Sequence, residues 1–418
     1  MTWQFDYLIV GAGFAGLTMA ERLTTQCGKS CLVVEKRPQI GGNAADRYDD
    51  HGVLVHSYGP HYFRTNSPKI VSYLSQFTDW RPVDYEILSY ADQRYWRFPI
   101  NLNTFEQLIG RSATSDEMEA WLAEHRVAIP EPRNSEEVIL SQVGPLLYEK
   151  FFKGYTLKQW RRHPRDLDPS VCGRIPIRTN RDNRYLREAF QALPKAGYSR
   201  LFERMVTACG PRLRLLLNTD YRDVVPHVAF HHMIFTGPID ELYDYRFGSL
   251  PYRSLRFSHQ SFTKEQLVAR EPISGRRGFW QPAMQVNYPG SEEFTRIVEI
   301  KHATGQACDN TTIVHEYPDD YGPGKERFYP VPAADAASLF QQYDRLVGAG
   351  VVPACLQASI RHHGVTPAVS LIGRLATYRY YNMDQVVAMA LAEFDRLRST
   401  HHTTGHGHGT SDRLPRAA

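Results

Sequence analysis

Asp6-Tyr7-Leu8-Ile9-Val10-Gly11-Ala12-Gly13-Phe14-Ala15-Gly16, continued by residues 17–23 and then by Cys31-Leu32-Val33-Val34-Glu35, decides the fold of this chain. Residues 6–10 read as a short buried strand, residues 17–23 as an amphipathic helix, and residues 31–34 as a second strand that ends on an acid. Strand, GxGxxG, helix, strand, acid is the order of a dinucleotide-binding βαβ unit. Gly11 permits the tight turn, Gly13 lets the backbone approach a pyrophosphate, and Gly16 lets helix and strand pack closely. The helix start offers unbonded N–H groups and a partial positive charge to the phosphates. Glu35 stands where a carboxylate can accept from ribose hydroxyls. The unit begins almost at Met1, so no targeting peptide is expected ahead of it.

Working outward, the 418 residues suit two to three domains, and 42% hydrophobic with 22% charged residues suits a globular chain. No apolar run approaches a membrane span. A net charge of +4 is too mild for a nucleic-acid footprint and favours a small anionic ligand. The six cysteines (Cys27, Cys31, Cys172, Cys209, Cys308, Cys355) are scattered with no CxxC pair, which reads as a reduced, cytoplasmic protein. The His-, Gly- and Thr-rich stretch 399–418, with His401, His402, His406 and His408, is expected to be a disordered tail and not a metal site.

The loop after the second strand separates FAD from NAD. Glu35-Lys36-Arg37-Pro38-Gln39-Ile40-Gly41-Gly42-Asn43 joins the acid to a second glycine pair. Flavin enzymes of the glutathione-reductase and amine-oxidase type carry such a segment, whose glycines let the backbone pass close to an extended FAD. Far downstream, Leu371-Ile372-Gly373-Arg374 and Met383-Asp384-Gln385-Val386-Val387 repeat a strand, glycine and helix pattern. A helix start near Met383 can stabilise negative charge on a reduced flavin. The flavin-binding part is therefore expected to be discontinuous, drawn from both ends of the chain.

Between these ends, residues 105–109, 115–128 and 135–152 carry apolar residues at spacings of three and four, punctuated by Pro130, Pro132, Pro164, Pro169 and Pro176. Residues 252–257, 284–288, 296–301 and 312–317 read as strands. Tyr155-Thr156-Leu157-Lys158-Gln159-Trp160 places aromatics where they can stack on a nucleobase, or simply close a helix end against the core. Arg161, Arg162, Arg165, Arg174, Arg178, Arg181 and Arg184 crowd the next segment. Most of these read as a solvated basic face, but an arginine beside aromatics also suits bidentate capture of a diphosphate. Core packing is the better reading for at least one of Tyr378, Tyr380 and Tyr381.

Taken together, GAGFAG, EKRPQIGGNA, SYGPHYFRTN, RFPINLNTF, GYTLKQW, GRIPIR, TGPIDELYDYRFG, FTRIVEIKH, FYPVP and GRLATYRYYNMDQV make the chain resemble the bacterial UDP-galactopyranose mutases, from about residue 6 to about residue 394. The resemblance implies an α/β architecture of three parts. These are a discontinuous Rossmann-type FAD-binding domain (1–75, 198–245 and 332–398), a helical insert with a mobile substrate loop (103–192), and an antiparallel, six-stranded β-sheet domain (76–102 and 246–331). It implies a redox-neutral isomerisation of UDP-galactopyranose to UDP-galactofuranose for cell-surface polysaccharide. In this family N5 of reduced FAD is the covalent nucleophile at the anomeric carbon. A homodimer and a reductant such as NADPH are implied as well.

Roles carry over on the same basis. Arg174 and Arg296 match the two diphosphate arginines, and Tyr329 and Tyr380 match tyrosines that donate to the phosphates. Phe151, Tyr155, Thr156 and Trp160 match the uridine wall, with Tyr185 beside them. Asn101 and Asn287 match substrate-side asparagines. His61 matches the histidine beside the flavin and is grouped with Arg174 and Arg296 as catalytic. The implied flavin set is Gly11, Gly13, Phe14, Gly16, Glu35, Lys36, Gly42, Asn43, Pro60, His61, Tyr221, Arg222, Arg374, Met383 and Gln385.

The chain departs from the family at Arg64 (commonly His), Arg161 (commonly Gly), Asn382 (frequently Asp) and Thr377 (an acid), and its 347–372 stretch is long. These departures keep open a mutase acting on another nucleotide hexose. An FAD-dependent oxidase or desaturase rests only on the shared flavin fold, and a non-catalytic flavoprotein would not need the diphosphate arginines.

Overall fold

The structure, a computed structural model, describes residues 3–403. The strand Trp3–Val10 stands at the centre of a five-stranded parallel sheet ordered Leu213–Leu216, Cys31–Val34, Trp3–Val10, Val228–Phe235, Ala368–Leu371. It starts three residues before the expected Asp6, because residues 3–5 pair with Val228, Ala229 and Phe230. Side-chain alternation divides its apolar residues between two cores: Tyr7 and Ile9 enter one, Leu8 and Val10 the other. Both faces are thus covered, which is why Cys31–Val34 is an unbroken buried run. The helix Phe14–Cys27 outruns the expected 17–23 and ends at Gly28 in the left-handed conformation (φ 62°). Against it packs Met383–Thr403, through Val387, Ala390, Leu391, Phe394 and Leu397. Strands from three distant stretches of the chain complete this sheet.

A second sheet has seven strands, ordered Tyr329–Pro330, Tyr252–Phe262, Thr311–Asp320, Arg296–Val298, Gln285–Asn287, Ile87–Ala91, Arg94–Phe98. The implied count of six is short by one, and Gln285–Asn287 pairs parallel with Ile87–Ala91 in an otherwise antiparallel sheet. The strand expected over 296–301 stops at Val298. There the buried Glu299 carboxylate turns to accept from the backbone N–H groups of Trp280 and Gln281 at 3.0 Å, and the chain curls into Lys301–Thr304.

The middle of the chain is helical, as expected, with two corrections. The helix expected over 115–128 ends at His125, since Arg126 is extended (ψ 149°). The helix expected over 135–152 is broken at Gly144 (φ 76°, ψ 177°), ahead of Pro145, and after Tyr148 widens into the π-turn Glu149–Lys153. A Cβ at Gly144 would lie 2.1 Å from the His125 carbonyl oxygen, so only glycine lets these segments touch. The boundary expected at 192 falls inside the strand Phe190–Pro194, which pairs with Phe63–Thr65 and Trp80–Pro82. The 347–372 stretch contains the helix Ala354–His363 and leads into the strand Ala368–Leu371. The helix Met383–Thr403 takes in residues 399–403, which were expected to open the tail; the remainder of that stretch lies outside the described residues. Among the described residues no helix is long and apolar enough to cross a membrane.

Candidate active site

The glycine turn and the second glycine pair are built against each other. Gly11 has φ +102°, and a Cβ there would meet Thr236 Oγ1 at 2.1 Å. Gly41 N donates to the Ala12 carbonyl at 2.8 Å, and a Cβ on Gly13 would touch the Gly42 Cα at 3.5 Å. Glu35 closes the arrangement: its carboxylate accepts from Ala12 N at 2.8 Å and Arg37 N at 3.0 Å. The helix Phe14–Cys27 has Gly13 as its N-cap and no side-chain cap, leaving its first N–H groups for a ligand.

This backbone-walled floor belongs to an open cleft of about 240 Å³. Of the expected flavin residues, Gly11, Gly13, Phe14, Glu35, Lys36, Gly42, Asn43, His61, Tyr221, Arg374 and Met383 line it. Four do not. Gly16 serves packing, since a Cβ there would sit 1.9 Å from the Gly11 carbonyl oxygen. Arg222 is turned onto Glu241 at 3.0 Å, and the Gln385 side chain accepts from Asn382 N at 2.9 Å at the start of the long helix. Pro60 is not part of the wall, though its neighbour His61 is. Sequence reading missed Thr219 and Asp220, which follow the strand Leu213–Leu216, and Glu326 and Arg327, which reach in from the second sheet. The signal for the first pair was topological, because parallel-sheet ligands sit at the C-terminal strand ends. A glycine cradle, an uncapped helix start, an acid and the basic Lys36 and Arg37 together fit an extended, pyrophosphate-containing FAD.

His61 has a defined hydrogen-bonding state. Its Nδ1 lies 2.9 Å from the Gly59 carbonyl, which only accepts, so Nδ1 carries the proton and Nε2 is left as an acceptor. Its backbone N–H donates to His56 Nδ1 at 3.0 Å. Burial, reinforced by His56, Arg374 and Arg296, lowers the His61 imidazole to about 3, and burial lowers His56 to about 4. Both rings are neutral at ordinary pH.

Beyond His61 and Arg374 lies a second, more enclosed pocket of about 60 Å³. Phe151, Tyr155, Thr156, Trp160, Arg174, Tyr185, Asn287, Arg296, Tyr329 and Tyr380 all line it. The helix Gly154–Trp160 supplies one wall, the paired strands carrying Asn287 and Arg296 another, and the two-residue strand Tyr329–Pro330 a third. The Arg174 guanidinium lies 4.7 Å over the Tyr380 ring, and Arg374 lies 5.4 Å over the same ring and 5.5 Å over Tyr329. Arg374 thus sits where the two cavities adjoin. Arg296 Nη2 donates to the buried Glu316 at 2.7 Å, while its Nε and Glu316 Oε1 have no partner. Three guanidiniums face one carboxylate, which leaves an excess of positive charge suited to a diphosphate. The same excess acts on Tyr380: burial pushes its phenol up, yet Arg174, Arg374 and Arg296 together bring it below its ordinary value.

Asn101 is the exception among the expected substrate residues. Fully buried, it caps the helix Leu102–Ile109, and its Nδ2 donates to the Asp182 carbonyl (3.1 Å) and Asn183 Oδ1 (2.8 Å). It therefore holds the 180–183 loop from outside the pocket. Of the crowded arginines only Arg174 enters the pocket, while Arg162, Arg178, Arg181 and Arg184 pair with carboxylates nearer the surface. Tyr378 is a core residue, 8% exposed, as expected for one of the three tyrosines. Gln159, Cys172, Gln285 and, behind Arg296, Glu316 were missed; Gln159 lies within the GYTLKQW segment. Arg64 pairs with Glu188 at 3.6 Å, and Arg161 takes the left-handed conformation (φ 52°) that ends its helix.

A family model described as UDP-galactopyranose mutase matches residues 150–380, and one described as an NAD(P)-binding Rossmann-like domain matches residues 9–77. The chain is 31% identical over 401 residues to a probable UDP-galactopyranose mutase of Klebsiella pneumoniae, covering 94% of this chain and 95% of the relative. It is 29% identical over 391 residues to a dTDP-fucopyranose mutase of Escherichia coli, covering 92% and 96% respectively. Among solved structures, a reduced UDP-galactopyranose mutase superposes with a TM-score of 0.69 at 16% identity, over 95% of this chain and 94% of that one, and so shares the fold.

Proposed function

The chain belongs to the UDP-galactopyranose mutase family, and on that premise we propose that it converts UDP-galactopyranose and UDP-galactofuranose into one another without net redox change. The observation that carries this reading is the junction of two cavities at Arg374, one fitted to FAD and the other lined by Arg174 and Arg296. Bound and reduced, FAD supplies the nucleophile for the anomeric carbon.

The chain's own residues do the rest. Tyr155, Thr156 and Trp160 hold the nucleoside, while Arg174 and Arg296 balance the charge that develops as the diphosphate leaves, with Tyr329 and Tyr380 donating hydroxyls. The same donors keep free UDP in place, since it must return to the sugar. Closing Arg174 over the pocket excludes water that would otherwise hydrolyse the intermediate. His61, neutral and with Nε2 free to accept, orders a donor at the cavity junction.

The test is turnover of UDP-galactofuranose by the FAD-loaded, anaerobically reduced protein, read by product chromatography. No UDP-galactopyranose from flavin-replete protein would refute the reading. A second reading, a mutase for another nucleotide hexose, is favoured by Arg64 and Asn382. Side-by-side kcat/KM values for UDP- and dTDP-hexoses decide between them. The reading extends to a cytoplasmic homodimer reduced by a donor such as NADPH and supplying galactofuranose for cell-surface polysaccharide. Light scattering and stopped-flow flavin reduction test the dimer and the donor.

A further inference from the structure

GYTLKQW divides into two faces. Tyr155, Thr156, Gln159 and Trp160 line the nucleotide pocket. Gly154 and Lys158, four residues apart and so on one side of the helix, face the turn between the strands Gln285–Asn287 and Arg296–Val298 instead. A Cβ on Gly154 would lie 2.1 Å from the Pro289 carbonyl oxygen, so helix and turn are in backbone contact. Lys158 Nζ donates to three carbonyls of that turn: Tyr288 at 2.5 Å, Glu292 at 2.9 Å and Phe294 at 3.1 Å. The turn's two ends are Asn287 and Arg296, directly paired across the strands and both in the pocket wall. Lys158 itself is absent from that wall.

We propose that Lys158 is a positioning residue: by gathering three carbonyls of the 288–294 turn, it sets where Arg296 stands relative to the helix that holds the nucleoside. An ammonium suits this task because it offers three N–H donors from one point and has no acceptor to leave unpaired. Removing it frees the turn, and Arg296 loses its register with Tyr155 and Trp160. The inference rests on the reading of Arg296 as a diphosphate ligand. Misplacing a positioned group by about 1 Å can lower a rate by about 100-fold.

The experiment measures binding of UDP and of uridine to the flavin-loaded protein, alongside thermal unfolding and steady-state kinetics. Lys158→Met is expected to weaken UDP about tenfold or more, uridine by no more than about twofold, and to lower kcat as well as raise KM. Equal weakening of UDP and uridine, or unchanged UDP affinity, would overturn the proposal. Lys158→Arg keeps the charge but not the compact tripod of donors, and is expected to weaken UDP too. Wild-type behaviour of Lys158→Arg beside a weakened Lys158→Met would assign the effect to charge and also overturn it. Gly154→Ala pushes on the same turn from the helix side, so it carries the test if Lys158→Met does not fold; the same selective loss of UDP is expected. Arg296→Ala is the control: if it leaves the UDP-to-uridine ratio unchanged, the diphosphate reading fails, independently of Lys158.

Discussion

Arg174 and Arg296 carry the same charge into the same pocket, yet removing them should have very unequal consequences for stability. Arg296 is paired with Glu316, whose side chain is 1% exposed, at 2.7 Å. Truncating Arg296 leaves that carboxylate buried and unpaired, a loss of about 3–5 kcal/mol. Arg174 has no carboxylate partner; it stacks on Tyr380 at 4.7 Å and hydrogen-bonds to it. Losing that contact with Tyr380 costs about 0.5–2 kcal/mol, and relief of the desolvation of the buried guanidinium offsets it. Arg174→Ala should therefore unfold within about 1 kcal/mol of the wild type, whereas Arg296→Ala falls several kcal/mol below it. Both should lose activity, because each withdraws a preorganised donor from the leaving diphosphate, worth about 100- to 1000-fold in turnover. Urea titrations of the flavin-free proteins and anaerobic turnover of the reduced, flavin-loaded proteins give the two numbers for each variant. Equal destabilisation by the two substitutions, or full activity of Arg174→Ala, would refute the charge accounting on which the site is read.

Four further outcomes follow from particular contacts. Gly11→Ala should abolish FAD binding in a fluorescence titration, because its Cβ would sit 2.1 Å from Thr236 Oγ1 at a φ of +102°. Arg161→Gly should raise the unfolding free energy from a urea titration by about 1 kcal/mol without changing turnover, since the left-handed helix end (φ 52°) suits glycine. Asn101→Ala should lose about 1 kcal/mol of stability through the missing helix cap, with UDP affinity unchanged by calorimetry. His56 and His61 stand at about 4 and about 3 when folded against 6.5 ordinarily, so below pH 6.5 the unfolded chain binds protons that the folded chain refuses. Stability of the flavin-free protein is then full above pH 6.5 and falls by about 1.4 kcal/mol per pH unit for each histidine as pH drops toward 4, and His56→Gln should remove one of the two contributions.

Much of the nucleotide floor was legible in residues 6–43 because its contacts are short in sequence: Gly11, Gly13 and Glu35 act within one strand-turn-helix-strand unit, and Gly41 bonds back to Ala12. The ten pocket-lining positions carried over from the family resemblance also came together. Asn101 was misread because an asparagine preceding a helix serves as a cap as readily as a ligand, and only the positions of Asp182 and Asn183 distinguish the two. Glu316 and Lys158 were not legible as partners. The first meets Arg296 across a neighbouring strand, and the second meets its carbonyls some 130 or more residues along the chain. The broken helix at Gly144 goes with the close approach of the His125 carbonyl, which periodicity does not encode.

The sequence alone determined the nucleotide-binding turn, since glycine spacing and a terminal acid are statements about local backbone freedom and residue chemistry, while the paired arginines and tyrosines of the second site were legible through the family resemblance. Only the tertiary structure decided which arginine has a counter-ion, which tautomer His61 adopts and what holds Arg296 in place. Those depend on burial and on partners brought in by sheet pairing, where a difference of a few ångströms separates a satisfied charge from an unmatched one.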